Sequence, residues 1–187
     1  TFVIPMLRDV KAEDMGVDVE AELKDVRLPI NDTLKITGGT FLLNLNMKGM
    51  KAHGAVQVNN APMGFTWTED FTNATKISTR LDVTATLNED QRARLGIDMR
   101  PYVEGKSTIV AAFTGSGGKI QNAKVDANLT SARLSSPELD WAKPEDAKAA
   151  MKANVVFRPD GSVEINDIDA AGQGLKAQGQ SYKIYLY

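Results

Sequence analysis

The chain has 187 residues, 22 Lys and Arg against 24 Asp and Glu, a formal charge of −2, and no cysteine. The length predicts one domain or two small ones, and basic residues scattered among acidic ones argue against a nucleic-acid partner. Without cysteine there is no disulfide, thiolate nucleophile or zinc–thiolate site, while 42% apolar and 25% charged residues predict a chain that folds in water.

Alternation of apolar and polar residues begins near the start of the chain and predicts β-strands with two unlike faces. It runs through residues 17–24 and again through 41–48. The clearest alternation covers residues 76–87, where twelve residues at about 3.3 Å each predict a strand of about 40 Å. Long, even strands of this kind are unusual in a compact barrel.

One short helix is predicted immediately after this strand. Asn88 is a capping residue, acidic Glu89 and Asp90 occupy the first turn, and Gly96 stops the helix. The basic residues within 91–94 follow those acids directly, so this segment is interpreted as solvated surface.

Further strands are expected in the second half of the chain, at residues 108–114, 123–129, 161–168 and 175–179. The turn Arg158–Gly161, with its Pro-Asp-Gly sequence, predicts an antiparallel hairpin between 155–157 and 163–165. Residues 143–152 are ambiguous, because Pro and Ala favour a helix whereas period-two alternation favours a strand. We predict a strand from about Ala149.

The chemical inventory is thin, and we predict neither an enzyme nor a cofactor or metal site. His53 is the only histidine. It lies in a weak internal repeat, in which residues 34–54 resemble residues 165–179, and Gln178 is the residue that corresponds to His53 in the second copy. A general base needs a positioned partner, so His53 is interpreted as a surface strand residue. The carboxylates near Asp167 match no calcium-loop spacing.

The apolar strand faces are the informative feature. A stack of such strands makes a continuous apolar surface that a helix, a second sheet or a ligand must cover, and the sequence contains too little helix. Two alternatives follow: the sheet packs on itself as a sandwich, or it leaves an aliphatic groove. An acyl chain gains about 0.8 kcal/mol per buried methylene, which makes the groove energetically attractive. Periodicity alone does not separate the two.

Several phrases resemble the repetitive region of the AsmA-like bacterial envelope proteins, especially the YhdP-type branch. They are the strand and helix over 77–98, then Arg100–Gly105, Leu134–Pro144 and Gly172–Gly179. The resemblance covers residues 77–179 and, more loosely, 17–76. It implies a large inner-membrane-anchored protein that reaches into the periplasm and moves phospholipids toward the outer membrane along a curved β groove. The terminal Tyr182–Tyr187 does not match this family.

Residues 1–187 are therefore expected to form one mostly β module, a curved open sheet of long antiparallel strands with one short helix. Because it begins without Met and ends abruptly, we expect it to be a segment of a longer repetitive protein, and the resemblance implies that this segment lies in the periplasm. Its expected partners are phospholipid acyl chains, neighbouring repeats of the same chain and envelope proteins; the alternative is a non-catalytic scaffold. Trp67 and Trp141 are interpreted as packing residues. The predicted groove-lining residues are Leu43, Leu45, Leu81, Val83, Val125, Leu129, Met151 and Val155.

Overall fold

A computed structural model describes residues 16–72 and 77–185. The elements, in chain order, are β1 (Asp18–Leu23), β2 (Leu28–Pro29), β3 (Lys35–Asn46), β4 (Gly49–Val58), β5 (Ala61–Asp70), β6 (Thr79–Leu87), α1 (Glu89–Arg94), β7 (Val103–Gly105), β8 (Ser107–Ser116), β9 (Lys119–Asn128), β10 (Ala132–Ser136), a single 3₁₀ turn (Pro137–Leu139), β11 (Trp141–Lys143), β12 (Ala149–Phe157), β13 (Ser162–Gly172) and β14 (Leu175–Tyr185).

Ten strands form one continuous antiparallel path in the order β1-β3-β4-β5-β6-β8-β9-β12-β13-β14, and β2 adds an eleventh strand against β3. Most neighbours follow each other in the chain, so the sheet is largely a meander of hairpins. The chain leaves this path twice, and the excursions build a second sheet of three short strands in the order β11-β10-β7. In the part of the chain that the structure describes, the large sheet is not closed, and β1 and β14 lie at its two ends. The expected open, mostly antiparallel β architecture is confirmed.

Local signals place several elements correctly. The helix is α1, where the Asn88 side chain accepts from the Gln91 N–H at 2.9 Å and the Gln91 side chain accepts from the Asn88 N–H at 2.9 Å. The hairpin at Arg158–Gly161 is confirmed, since Phe157 pairs with Val163. The ambiguous segment does become a strand from Ala149.

Other expectations need correction. The strand predicted over 76–87 begins only at Thr79; Lys76 lies outside the described residues, and Ile77 precedes the strand with 52% of its surface exposed. β5 was not predicted, although Met63, Phe65 and Trp67 alternate with Gly64, Thr66 and Thr68. The three-stranded sheet was not predicted either, because its strands are only 3, 5 and 3 residues long and too short to show a period. The segment 91–94 is not uniformly solvated either, because Arg92 is only 2% exposed.

Candidate functional site

The strand register places the apolar residues of the large sheet on one face, which we call the inner face. Rows of side chains run across the sheet at right angles to the strands, because residues paired in register point to the same side. The longest apolar row is Ala21, Leu43, Ala52, Trp67, Leu81, Phe113, Ala123, Val155 and Ile165, each paired with the next.

All eight predicted groove-lining residues lie on this inner face. Leu43, Leu81 and Val155 belong to the row just described. Leu45 is two residues from Leu43 on β3, Val83 and Val125 both pair with Ala111, and Met151 pairs with Ala127. Leu129 follows Ala127 by two residues, and its N–H donates to Ala149 O at 2.9 Å. The structure thus places residues as much as 112 positions apart on one face, but Leu43 on β3 and Val155 on β12 are separated by five intervening strands.

The opposite, outer face of the sheet is polar and more exposed. On β6, the outer residues Arg80, Asp82, Thr84 and Thr86 are all exposed, whereas the inner residues of the same strand are buried or half-buried. β9 shows the same alternation in burial. Since side chains converge on the concave side of a curved sheet, this asymmetry indicates curvature toward the inner face.

The apolar side chains that are fully buried are mainly small. Of the 13 buried apolar residues among those described, nine are alanine, and Leu87 is the largest. The larger inner-face side chains, such as Leu43, Leu81 and Phe113, are only half-buried, and Trp67 is 36% exposed. A sealed core normally buries its largest apolar side chains most completely. The inner face therefore has a buried floor of small residues and larger side chains that still reach solvent.

One aromatic pair lies over a glycine of this floor. Gly54 pairs with Phe41 on one side and Phe65 on the other, and the two rings meet edge to face with centroids 5.4 Å apart. A Cβ atom at Gly54 would collide with the β3 backbone at Thr40 and Phe41. The small residue thus lets two rings from separate strands cover the backbone between them.

Helix α1 closes one end of the inner face. Ala61, Ala85 and Leu87 form a buried cluster, with Met63, Ile109 and, from just after the helix, Leu95 packed against it. This is the one place in the described chain where a helix packs on the large sheet, and Leu87 is sealed to 2% exposure beneath it.

Arg92 anchors this helix. Its guanidinium donates to the carbonyl oxygens of Leu87, Gly105 and Val103 at 3.1, 2.8 and 2.8 Å, and to Ser107 Oγ at 3.1 Å. Burial lowers the pKa of Arg92 from its ordinary value, and the charges of nearby carboxylates partly oppose this shift. The side chain therefore ties the helix to the ends of β6, β7 and β8.

Glu69 plays the corresponding part near the other end of β6. It is 8% exposed, and its Oε1 accepts hydrogen bonds from Ser78 Oγ at 3.2 Å, Thr79 Oγ1 at 2.9 Å and Gly118 N–H at 3.1 Å. The carboxylate thereby holds the β8–β9 turn against β5 and β6. It is a structural carboxylate that sequence reasoning missed, because its partners come from two segments, Ser78–Thr79 and the β8–β9 turn, that are both separate from β5.

The three-stranded sheet adds a roof beside β12 and β13. Leu134 and Trp141 from this sheet, with Leu129, Ala149 and Ala170, line an apolar cavity of about 90 Å³. Trp141 Nε1 donates to Gln173 O at 3.1 Å, and the fully buried Lys143 donates to the carbonyl oxygens of Thr130, Ala132 and Pro144. Trp141 is half-buried and packs over this cavity, whereas Trp67 is 36% exposed, so the interpretation of Trp67 as a packing residue needs correction.

A larger, shallower depression of about 1140 Å³ lies where β9, β12 and the β13–β14 turn meet. Its lining combines the inner-face residues Ala127, Ala149 and Met151 with the outer-face residues Asn128, Lys148, Ala150 and Lys176. The lining surface is mostly apolar, and the depression adjoins the smaller cavity, with which it shares Ala149, Ala150, Ala171, Gly172 and Leu175.

The polar inventory adds no second candidate site. His53 lies on the outer face, half-buried, and its Nδ1 has no hydrogen-bond partner among the described residues. Residues 16–72 and 77–185 contain no group of three or more His, Asp and Glu side chains that could hold a metal ion. Over the same ranges, no helix has the length and apolar character needed to cross a membrane.

Comparison with known proteins leaves the family open. No family model matches the chain, and neither curated proteins nor solved structures show significant similarity to it. The resemblance to AsmA-like proteins therefore stays a hypothesis that rests on the sequence phrases themselves.

Proposed function

We propose that the inner face binds the acyl chains of phospholipids and that the chain is one segment of a lipid-transport groove. The observation that carries this proposal is the inverted burial of the inner face, with small residues sealed and larger aliphatic and aromatic side chains still reaching solvent. A surface of this kind gains free energy when an apolar ligand covers it.

The dimensions of the inner face suit this ligand. Ten strands about 4.8 Å apart give a face about 43 Å wide across the strands. One leaflet of a bilayer core is about 15 Å deep, so an extended acyl chain covers only part of this width. Each buried methylene contributes about 0.8 kcal/mol before the costs of association are subtracted.

The proposed mechanism is passive. Aliphatic side chains along the rows shield the acyl chains from water, while headgroups stay at the solvated edge of the face. The face carries few groups that would hold a lipid in one place, since its rows are mostly aliphatic and aromatic. A periplasmic location, an inner-membrane anchor elsewhere in a longer chain and envelope partners are parts of this proposal that rest on the sequence resemblance.

A scaffolding role is the second candidate, and the free sheet edges favour it. Among the described residues, β1 pairs only with β3 and β14 pairs only with β13, so each has one unpaired edge. Edge strands of this kind pair with neighbouring segments, which suits a repetitive protein. One protein can have both roles, but only the groove requires lipid binding. Lipid binding is therefore the property that distinguishes the two proposals.

Site-specific photo-crosslinking tests the lipid proposal directly. We expect a photo-crosslinking residue at Leu81 or Met151 to yield phospholipid adducts when the protein is expressed in bacteria. The matched controls are Asp82 and Lys152, the next residue on each strand, whose side chains lie on the outer face.

Mass spectrometry of the adducts and of lipids extracted from the purified protein is the measurement. Equal labelling at inner and outer positions, or no labelling and no co-purified lipid, would reject the groove and leave the scaffold.

A further inference from the structure

The lining of the cavity beneath the three-stranded sheet contains no charged residue, whereas the larger depression beside it is lined in part by Asp126, Lys148 and Lys176. The cavity lining consists of Leu, Ala, Gly and Trp only: Leu129, Leu134, Trp141, Ala149, Ala150, Ala170, Ala171, Gly172 and Leu175. A buried water needs two to four polar partners, so this lining suits neither water nor a headgroup. An apolar group is the occupant that it fits.

The cavity continues the inner face. Met151 pairs with Ala170, which lines the cavity, and Ala149 lies two residues before Met151 on the same side of β12. Ala149 and Ala170 therefore connect the inner face at Met151 to the cavity, which also extends to the outer-face residues Ala150 and Ala171 at the ends of β12 and β13.

The roof of the cavity is held in place by polar contacts outside the cavity itself. The hydrogen bond from Trp141 Nε1 to Gln173 O joins the three-stranded sheet to the β13–β14 turn. The buried Lys143 ammonium is fully satisfied by three carbonyl oxygens, which fixes β11 against the loop that follows β9. A roof held this way loses little conformational freedom when a ligand enters.

We infer that this cavity receives the terminal methyl end of a bound acyl chain and so sets a preference for chain length. A cavity of about 150 Å³ with a similar lining holds benzene. A volume of about 90 Å³ therefore accommodates roughly the last three carbons. This inference rests on the proposed function, because it assigns a role to one end of the same groove.

The first test uses a chain-length series of neutral monoacylglycerols, from octanoyl to stearoyl, bound to the whole chain. Ala170→Leu fills the cavity, so the protein should prefer monoacylglycerols with shorter acyl chains. The affinity for the longest chains should fall about fourfold for each methylene that the cavity no longer holds. Leu134→Ala enlarges the cavity and should shift the preference in the opposite direction. Ala55→Leu, at an exposed outer-face position, is the matched control and should change nothing.

The second test locates the methyl end by fluorescence quenching. In a Trp67→Phe background, Trp141 is the remaining tryptophan. An acyl chain brominated at its terminal carbon should quench Trp141 more strongly than one brominated near its carbonyl. Two outcomes would overturn the cavity assignment and leave the proposed function standing. Either monoacylglycerols bind but the variants show no shift in chain-length preference, or the two brominated probes quench Trp141 equally. Failure of every monoacylglycerol to bind would instead overturn the proposed function, and the inference with it.

Discussion

A matched pair of leucines on β6 tests whether the inner face is open in solution. Leu81 and Leu87 lie on the same face of one strand, but Leu87 is sealed at 2% exposure beneath α1, whereas Leu81 is half-buried in the longest apolar row. Replacing either residue with alanine removes three carbon groups, worth at most about 2.4 kcal/mol of transfer free energy. The two substitutions differ in what surrounds the deleted atoms.

At Leu87 the surrounding side chains enclose the space, so a cavity term adds to the transfer term. We expect Leu87→Ala to cost about 3–4 kcal/mol in the free energy of unfolding. At Leu81 the transfer is incomplete and the space opens to solvent, so we expect a cost below about 2 kcal/mol. The difference between the variants should therefore be at least about 1 kcal/mol.

Urea denaturation followed by circular dichroism measures both values, and an unchanged m-value confirms that each variant unfolds from a comparable native state. If Leu81→Ala costs as much as Leu87→Ala, the inner face is sealed in solution, and the reasoning from inverted burial is wrong. A variant that keeps near-normal stability but loses phospholipid adducts would instead support a direct contact between Leu81 and the lipid.

Three further predictions concern the polar contacts around the groove. Arg92→Met leaves buried carbonyl oxygens without this donor and should lower the free energy of unfolding by about 3–5 kcal/mol. The control Arg94→Met, at an exposed position of the same helix, should lower it by less than about 0.5 kcal/mol. Urea denaturation measures both values. Glu69→Ala removes the carboxylate that accepts the hydrogen bond from Gly118 N–H, and it should lower the free energy of unfolding by about 2 kcal/mol. Amide hydrogen exchange at Gly118 should become faster. Unchanged exchange would contradict the role of Glu69 in holding the β8–β9 turn. Hydrogen bonds from Arg100 hold the pKa of Asp98 at about 2, so its contribution to stability is present above about pH 4 and is lost as the pH falls toward 2. The difference in Tm between the parent protein and Asp98→Asn should therefore shrink as the pH falls from about 4 to about 2. A difference that stays constant over this range would show that the ionised Asp98 carboxylate is not the source of the stabilisation.

The chemistry of the two strand faces explains why the sheet can stay open at one side. The outer face carries alternating charges and Thr and Asn residues that water solvates, so it needs no cover. On the inner face, lateral packing already shields the backbone, as Phe41 and Phe65 do over Gly54. What stays exposed is the distal part of the large side chains, and this is the surface that an acyl chain would contact.

The sequence by itself determined the local features of this protein. Period-two alternation identified most of the long strands, β5 excepted, and assigned all eight predicted lining residues to the apolar faces of their strands, because a strand's two faces follow directly from its backbone geometry. Capping chemistry at Asn88 and the turn residues Arg158–Gly161 likewise specified the helix and one hairpin, because these signals act within a few residues.

Only the tertiary structure decided which strands are neighbours and what each end of the inner face contains. β6 pairs with β8, and the intervening strand β7 belongs to the three-stranded sheet. Because of this connection, the carbonyl oxygens of Leu87, Val103 and Gly105 all lie within hydrogen-bond distance of Arg92. The burial of Lys143 beside the roof strand β11 has the same origin. In both cases the partners of a charged side chain are backbone atoms from separate segments, and no pattern of neighbouring residues encodes that meeting.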